Sequence, residues 1–275
     1  MRGRGGTCFP LLQTKLSLPD EVTWGAASLR KCSVIILNYA TPDLAIASDT
    51  LVRPGAFSAM LTEMQSDEGL GILGSRIVGP DGKDQISRFR FPSPFGEFIE
   101  AAGYDLLHRI FRGAVVPIFP AEPARPDWIG FPCVMLRRKM IDEIGPLDEG
   151  YFLYFEDVDY CRRAAAAGWR IAVCGGAEVM HLIGASSRVE ESRLSGARLP
   201  AYYYASRSRY FRKWFGEFGW IAANWLWNAG RAFGSLRRLA GKAPAPAPSG
   251  KGLDIWTDEK EGRPDGAAPF PRDRT

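Results

Sequence analysis

Short β-branched runs alternate with helix-period segments along most of this chain, and that alternation restricts the fold more than any other feature. Residues 32–37 read as a buried strand and 44–47 as a second short apolar run. Residues 71–78, 128–136, 169–173 and 178–181 read as further strands, the first of them ending in the turn Gly79-Pro80-Asp81-Gly82. Between them, Pro54 opens a helix with Phe57, Met60, Leu61 and Met64 at helical spacing. An amphipathic helix runs from Pro94 to about Phe111, and a short one contains Met140 and Ile144. Residues 156–167 form the clearest helix, with acids in the first turn, an alanine run, and Gly168 just past its end. Strands alternating with helices argue for an α/β layer architecture with a largely parallel sheet.

Composition narrows the class further. A chain of 275 residues, 46% apolar, can bury one sizeable core. Its net charge of +4 is too mild to suggest a nucleic-acid partner. The five cysteines are odd in number and include no C-x-x-C pair, so they read as core filler in a reducing cytoplasm. No run approaches the roughly 20 apolar residues of a membrane span. Residues 1–31 read as a flexible leader and 241–275, rich in Ala, Pro, Gly and charge, as a disordered tail.

The segment from Tyr202 to Leu239 is a helix of another kind. Twelve aromatics and seven Arg or Lys stand against one acid, Glu217. Phe211, Trp214, Phe215, Phe218, Ala222, Trp225, Ala229, Phe233 and Leu236 share one face. Lys213, Arg231 and Arg238 lie opposite, with Trp220 and Trp227 among them. Burial of the apolar stripe against the core explains the first face. Tryptophan beside arginine on the second face suits a bilayer headgroup zone, so a helix lying on a membrane surface is the expectation.

Four segments carry recognisable chemistry. They are Ser48-Asp49-Thr50 with Arg53-Pro54-Gly55; Asp127-Trp128-Ile129-Gly130 through Leu136-Arg137-Arg138; Gly145-Pro146-Leu147-Asp148 with Tyr154-Phe155-Glu156-Asp157-Val158-Asp159; and Glu178-Val179-Met180-His181 with Gly184-Ala185-Ser186-Ser187. In this order they resemble the inverting, rhamnosyltransferase-like glycosyltransferases of family 2. The resemblance covers about residues 45–215, and residues 32–44 match that family's first strand and helix start.

The resemblance implies an incomplete GT-A (Rossmann-like) mixed sheet flanked by helices over residues 32–215. The amphipathic aromatic and basic helix, 216–240, starts near 202 and follows that domain. It makes Asp157 the general base with Glu156 beside it, at a helix N-terminus whose dipole favours the ionised form. It makes Asp49 and His181 ligands of Mg²⁺ or Mn²⁺, which would neutralise a leaving diphosphate. Trp128, Gly130 and Tyr39 become substrate-binding residues. The residues by themselves leave alternatives open: the two acids complementing a helix dipole, His181 a hydrogen-bonded core histidine, Trp128 a core tryptophan. His108 reads as structural. The family pattern has a polar residue two positions before the metal aspartate, and here Ala47 stands there.

The implied partners are a nucleotide-sugar donor, a glycan or polyprenyl-linked acceptor and a membrane surface; the implied place is the cytoplasmic face of the plasma membrane, in cell-envelope glycan synthesis. One departure weighs against turnover. Only nine residues, Ala40 to Ser48, separate Tyr39 from Asp49, where the family has further strands and helices that hold the nucleotide. A parallel crossover needs a dozen or more residues. If the runs 32–37 and 44–47 both form strands, they must pair as an antiparallel hairpin, or one must leave the sheet. A non-catalytic remnant of such an enzyme is the second reading.

Overall fold

The computed structural model describes residues 32–35, 50–119, 125–181, 189, 192, 195–236 and 249–260. The 1–31 leader, the 44–47 run, Tyr39 and Asp49 lie outside them. Five strands form the main sheet: β1 (Cys32–Ile35), β2 (Thr50–Val52), β3 (Leu70–Val78), β7 (Val134–Arg137) and β8 (Arg170–His181), in the order β1-β7-β3-β8-β2. Three short strands, β4 (Arg88–Phe89), β5 (Pro117–Ile118) and β6 (Trp128–Ile129), make a second sheet in the order β5-β4-β6.

The architecture is α/β, but the main sheet is mixed where alternation suggested a largely parallel one. Only β3 and β8 run parallel; β1–β7, β3–β7 and β2–β8 are antiparallel. A parallel pair needs a long crossover, which the chain between β3 and β8 supplies. β1 and β2 occupy opposite edges of the sheet; the 44–47 run, expected to pair with 32–37 as a hairpin or leave the sheet, lies outside the described residues. Residues 128–136 split between the two sheets as β6 and β7. Conversely, 169–173 and 178–181 are one strand: a register shift between Ser75 and Arg76 takes up Gly175-Gly176-Ala177 as a bulge.

Helices cover both faces of the sheet. The apolar residues of α1 (Ala56–Ser66), Met60 and Met64, pack with Leu73, Met135 and Val179. Arg137 closes that layer by donating to the carbonyls of Met64 (2.5 Å), Asp67 (2.7 Å) and Leu70 (2.6 Å). On the other face, Met140 of α4 (Arg138–Ile144) and Tyr160, Cys161 and Ala164 of α5 (Glu156–Ala166) pack on Ile72, Val134 and Leu136. Gly71 permits this approach, because a Cβ there would stand 2.7 Å from the Met140 sulfur. Cys133, Cys161 and Cys174 are buried free thiols. The single helix expected from Pro94 to Phe111 is two, α2 (Pro94–Ala102) and α3 (Asp105–Ile110), broken where Gly103 adopts φ 56°. His108 of α3 bonds the Ile99 carbonyl through Nε2 at 3.1 Å.

The long helix α6 (Ala201–Ser235) bends at Gly216 (φ 70°, ψ −178°). That break changes the phase of the two halves, and with it the face that is buried. Phe211 in the first half is buried as expected. In the second half Trp220 and Trp227 face inward, 8% and 5% exposed, while Phe218 and Trp225 face outward. The two tryptophans therefore owe nothing to a membrane. Trp220 donates to Ser208 Oγ (2.9 Å) under the Arg212 guanidinium, and Lys251 lies over Trp227. Residues 249–260, assigned by composition to a disordered tail, instead include the short helix α7 (Lys251–Asp254), with Ile255 fully buried and Trp256 against Trp220.

The first half of α6 is tied to α5 by a buried carboxylate. Asp159 accepts from Trp214 Nε1 (2.8 Å), Lys213 Nζ (2.8 Å) and Arg163 Nε (3.2 Å). Nearby Asp148 binds Lys213 and Arg209. Burial alone would raise its carboxyl, but Lys213, the Gly150 N–H and Arg209 outweigh it and hold it at about 2. Its contribution is complete above the unfolded value of about 3.9 and is lost as pH falls toward 2. Replacing Asp159 by Ala leaves Trp214 without its acceptor and takes the buried counter-charge from Lys213 and Arg163. Urea unfolding should show a loss of about 3–5 kcal/mol, and a loss below about 1 kcal/mol would mean the anchor is dispensable.

Candidate functional site

The backbone entering α5 is unusual. Tyr154 and Phe155 both adopt left-handed conformations, φ 67° and 66°, which cost non-glycine residues about 1–3 kcal/mol each. Ring packing holds them there: Tyr154 and Phe155 meet Tyr203 at 5.5 and 5.7 Å, and Phe155 meets Tyr210 at 5.5 Å. The chain then turns into α5 with Glu156 and Asp157 in the first turn. Strain of this kind, held by rings from another helix, fixes where two carboxylates sit.

Both carboxylates are half-buried. Asp157 Oδ1 accepts the Val158 N–H at 2.7 Å, and Oδ2 faces Gly130, where a Cβ would lie 3.9 Å away. Glu156 Oε2 is buried with no hydrogen-bond partner among the described residues. Burial pushes the Asp157 carboxyl well above the usual range, and the Glu156 charge adds to it, against the Val158 N–H. Burial raises Glu156 as well. The helix dipole, expected to favour ionisation, is outweighed here by desolvation and mutual repulsion. The arrangement is a tightly coupled acid pair that holds a proton more firmly than an isolated carboxylate.

Trp128 is half-buried on β6. Its Nε1 donates to the Arg90 carbonyl (3.0 Å), and its ring stacks on Phe89 with centroids 4.2 Å apart. One face of the indole is thus occupied by protein. Gly130 follows β6 and leaves room beside Asp157. His181 ends β8 opposite Thr50 of β2, the residue after Asp49. Its Nδ1 lies 3.3 Å from Gln85 Oε1, and its carbonyl accepts from Gln85 Nε2. Among the described residues no group of three His, Cys, Asp or Glu side chains could hold a metal ion. Asp49 and Tyr39 lie outside those residues.

The sequence reading missed Arg162. Its guanidinium sits 4.6 Å from the Phe215 ring, 4.7 Å from Trp214 and 5.3 Å from Phe91, and it bonds Tyr210 Oη at 2.6 Å. This aromatic cage braces α5 against α6 one turn beyond the acids. Its rings come from residues far apart in the chain, so no local pattern announces it.

Comparison with known proteins bears on this same stretch. Residues 129–198 match the family model described as glycosyltransferase like family 2. The chain is 30% identical over 142 residues to the N-acetylglucosaminyl-diphospho-decaprenol L-rhamnosyltransferase of Mycobacterium tuberculosis, across 46% of this chain and 42% of that protein. It is 24% identical over 160 residues to the low-salt glycan biosynthesis hexosyltransferase Agl10 of Haloferax volcanii, across 58% of this chain and 45% of that protein. A crystal structure of GalNAc-T7 with UDP, GalNAc and Mn²⁺ overlaps 70% of this chain and 35% of its own, with TM-score 0.39 and 13% identity. The stretch that matches the family model contains Gly130, Glu156, Asp157 and His181. The chain spans less than half the length of the curated relatives it matches.

The raised carboxyls give a pH signature. The folded state holds a proton that the unfolded chain has released above about 3.9, so stability falls as pH rises through that value toward the folded one. Asp157→Asn removes the penalty. Its melting temperature should match the parent below about pH 4 and exceed it increasingly toward neutrality. A difference that stays constant across pH would contradict the raised carboxyl.

Proposed function

We propose that this chain belongs to an inverting glycosyltransferase that moves a sugar from a nucleotide-sugar donor to a glycan or polyprenyl-linked acceptor. The observation that carries the reading is the coupled pair Glu156–Asp157, held by a strained turn beside Gly130, inside the segment that matches the family. In the step, the acceptor hydroxyl oxygen attacks the anomeric carbon. A carbon–oxygen bond forms, the bond to the diphosphate breaks with its electron pair, and Asp157 takes the hydroxyl proton. A carboxylate whose proton affinity is raised by burial is a stronger base once ionised, so burial serves this step. Glu156 would tune that affinity through its charge. Gly130, beside Asp157 Oδ2, would border the acceptor, and Trp128 and Tyr39 would also bind substrate.

A divalent cation, Mg²⁺ or Mn²⁺, would neutralise charge on the leaving diphosphate. Asp49 and His181 are the residues proposed to hold it; of the two, the described structure contributes only His181, already engaged by Gln85. No step here depends on the ion. Relatives named for a decaprenol-linked substrate and for glycan biosynthesis support a lipid-linked or glycan acceptor; its use in cell-envelope synthesis at the inner face of the plasma membrane is part of the proposal.

The second reading, a non-catalytic remnant, is favoured by one observation. Only nine residues separate Tyr39 from Asp49, where the family resemblance calls for the strands and helices that hold the nucleotide. Calorimetry with a panel of nucleoside-diphosphate sugars separates the two. The transfer reading requires saturable binding, together with transfer that Asp157→Asn abolishes while the fold persists. Absence of binding to every donor would leave the remnant, and full activity in the variant would sink the base assignment.

A further inference from the structure

The second half of α6 has apolar residues on both sides. Trp220, Ala223 and Trp227 face inward, where α2 crosses closely at Gly230 and Gly234: a Cβ on either would come within 2.6 Å of a backbone carbonyl of α2. The outward side is a continuous stripe. Phe218, Trp225, Phe233 and Leu236 are 89%, 65%, 44% and 58% exposed, and Ala222, Ala229 and Ala232 fill the positions between them. Helices on a globular surface put charge on that side. None appears from Phe218 to Gly230. The apolar surface continues off the helix through ring contacts, Phe233 to Phe98 (6.1 Å), Phe98 to Phe95 (6.3 Å) and Phe95 to Phe111 (5.2 Å); Phe95 and Phe111 are exposed.

We propose that this stripe is a docking surface for an anionic lipid bilayer, with the second half of α6 lying in the plane of the headgroups. Charge selects the occupant. From Phe218 to Lys242 the sequence has four basic residues, Arg231, Arg237, Arg238 and Lys242, and no acid. Exposed Arg109 and Arg112 flank Phe111 on the adjoining patch. Basic residues beside exposed Phe, Trp and Leu match the composition of interfacial helices that bind anionic membranes. A second copy seated symmetrically on the stripe would bring these cations against their own images. The described residues contain no helix long and apolar enough to cross a membrane, so the contact is with one leaflet. Length fits as well: residues 218–236 extend about 27 Å. The surface differs from the one the helical wheel proposed, because the Gly216 bend sends Trp220 and Trp227 inward and leaves Phe218 and Trp225 outside.

The inference stands apart from sugar transfer, and its test uses neither donor nor acceptor. The full chain is sedimented with vesicles of phosphatidylcholine alone and with added phosphatidylglycerol. Beside it runs the variant Phe218→Ser/Trp225→Ser/Leu236→Ser, checked for an unchanged melting temperature; the single variant Phe218→Asp replaces it if the triple one fails to fold. Binding should require the anionic lipid, weaken with salt, and fall at least about tenfold in the variant. Equal binding by parent and folded variant overturns the proposal, as does absence of binding by the parent. A lipid-independent dimer that the variant abolishes, with no vesicle binding, assigns the stripe to a second copy and also overturns it.

Discussion

The buried carboxylate of Asp159 is where the two halves of this molecule meet. It sits on the α5 turn that begins with Glu156 and Asp157, and its acceptors are used by Trp214 and Lys213 of α6 and by Arg163 of its own helix. A fully buried charge is tolerable only when its lone pairs are filled by well-placed donors. Because those donors come from α6, the long helix cannot shift without exposing an uncompensated charge. The Arg162 cage and the Tyr203 and Tyr210 rings act from the same side, so α6 fixes the strained turn that aims the acid pair.

Gly216 decides what the rest of α6 does. A continuous helix would have kept one apolar face throughout, and the aromatic stripe that begins with Phe211 would have stayed buried to its end. The positive φ at Gly216 re-phases the second half. Trp220 and Trp227 turn toward α2 and α7, and Phe218 and Trp225 turn to solvent. One residue without a side chain thus converts an ordinary packed helix into one that is apolar on both sides, and the outer side calls for a partner.

The electrostatics of the acid pair follow from placement more than from sequence. At a helix N-terminus two carboxylates are favoured by the dipole, by about 0.3–1 kcal/mol for exposed groups. Sinking them beside each other reverses the balance, since desolvation and repulsion both favour the protonated form. A carboxylate in such an environment is a stronger base once ionised. Placement also explains why Asp159, two residues away, differs in role: it is buried with cations, whereas Asp157 is buried with another acid.

Much of the fold was legible in the residues. Periodicity located β3 and α5 nearly to the residue and revealed α1 and α4, because each buries one local stripe whose spacing is visible in the chain. The order of motifs pointed to the stretch that matches the glycosyltransferase like family 2 model, because Gly130, Glu156 and Asp157 lie in contiguous stretches. Four things were not legible: the direction of each strand, the bulge that joins 169–173 to 178–181, the packing of Ile255 and Trp256 in a stretch that composition read as tail, and the face of α6 that turns inward. All four depend on partners distant in sequence or on a single dihedral. The sequence by itself determined which residues could be apolar, charged or bent. Only the tertiary structure decided which side each apolar surface covers, because burial is settled by what lies across the contact.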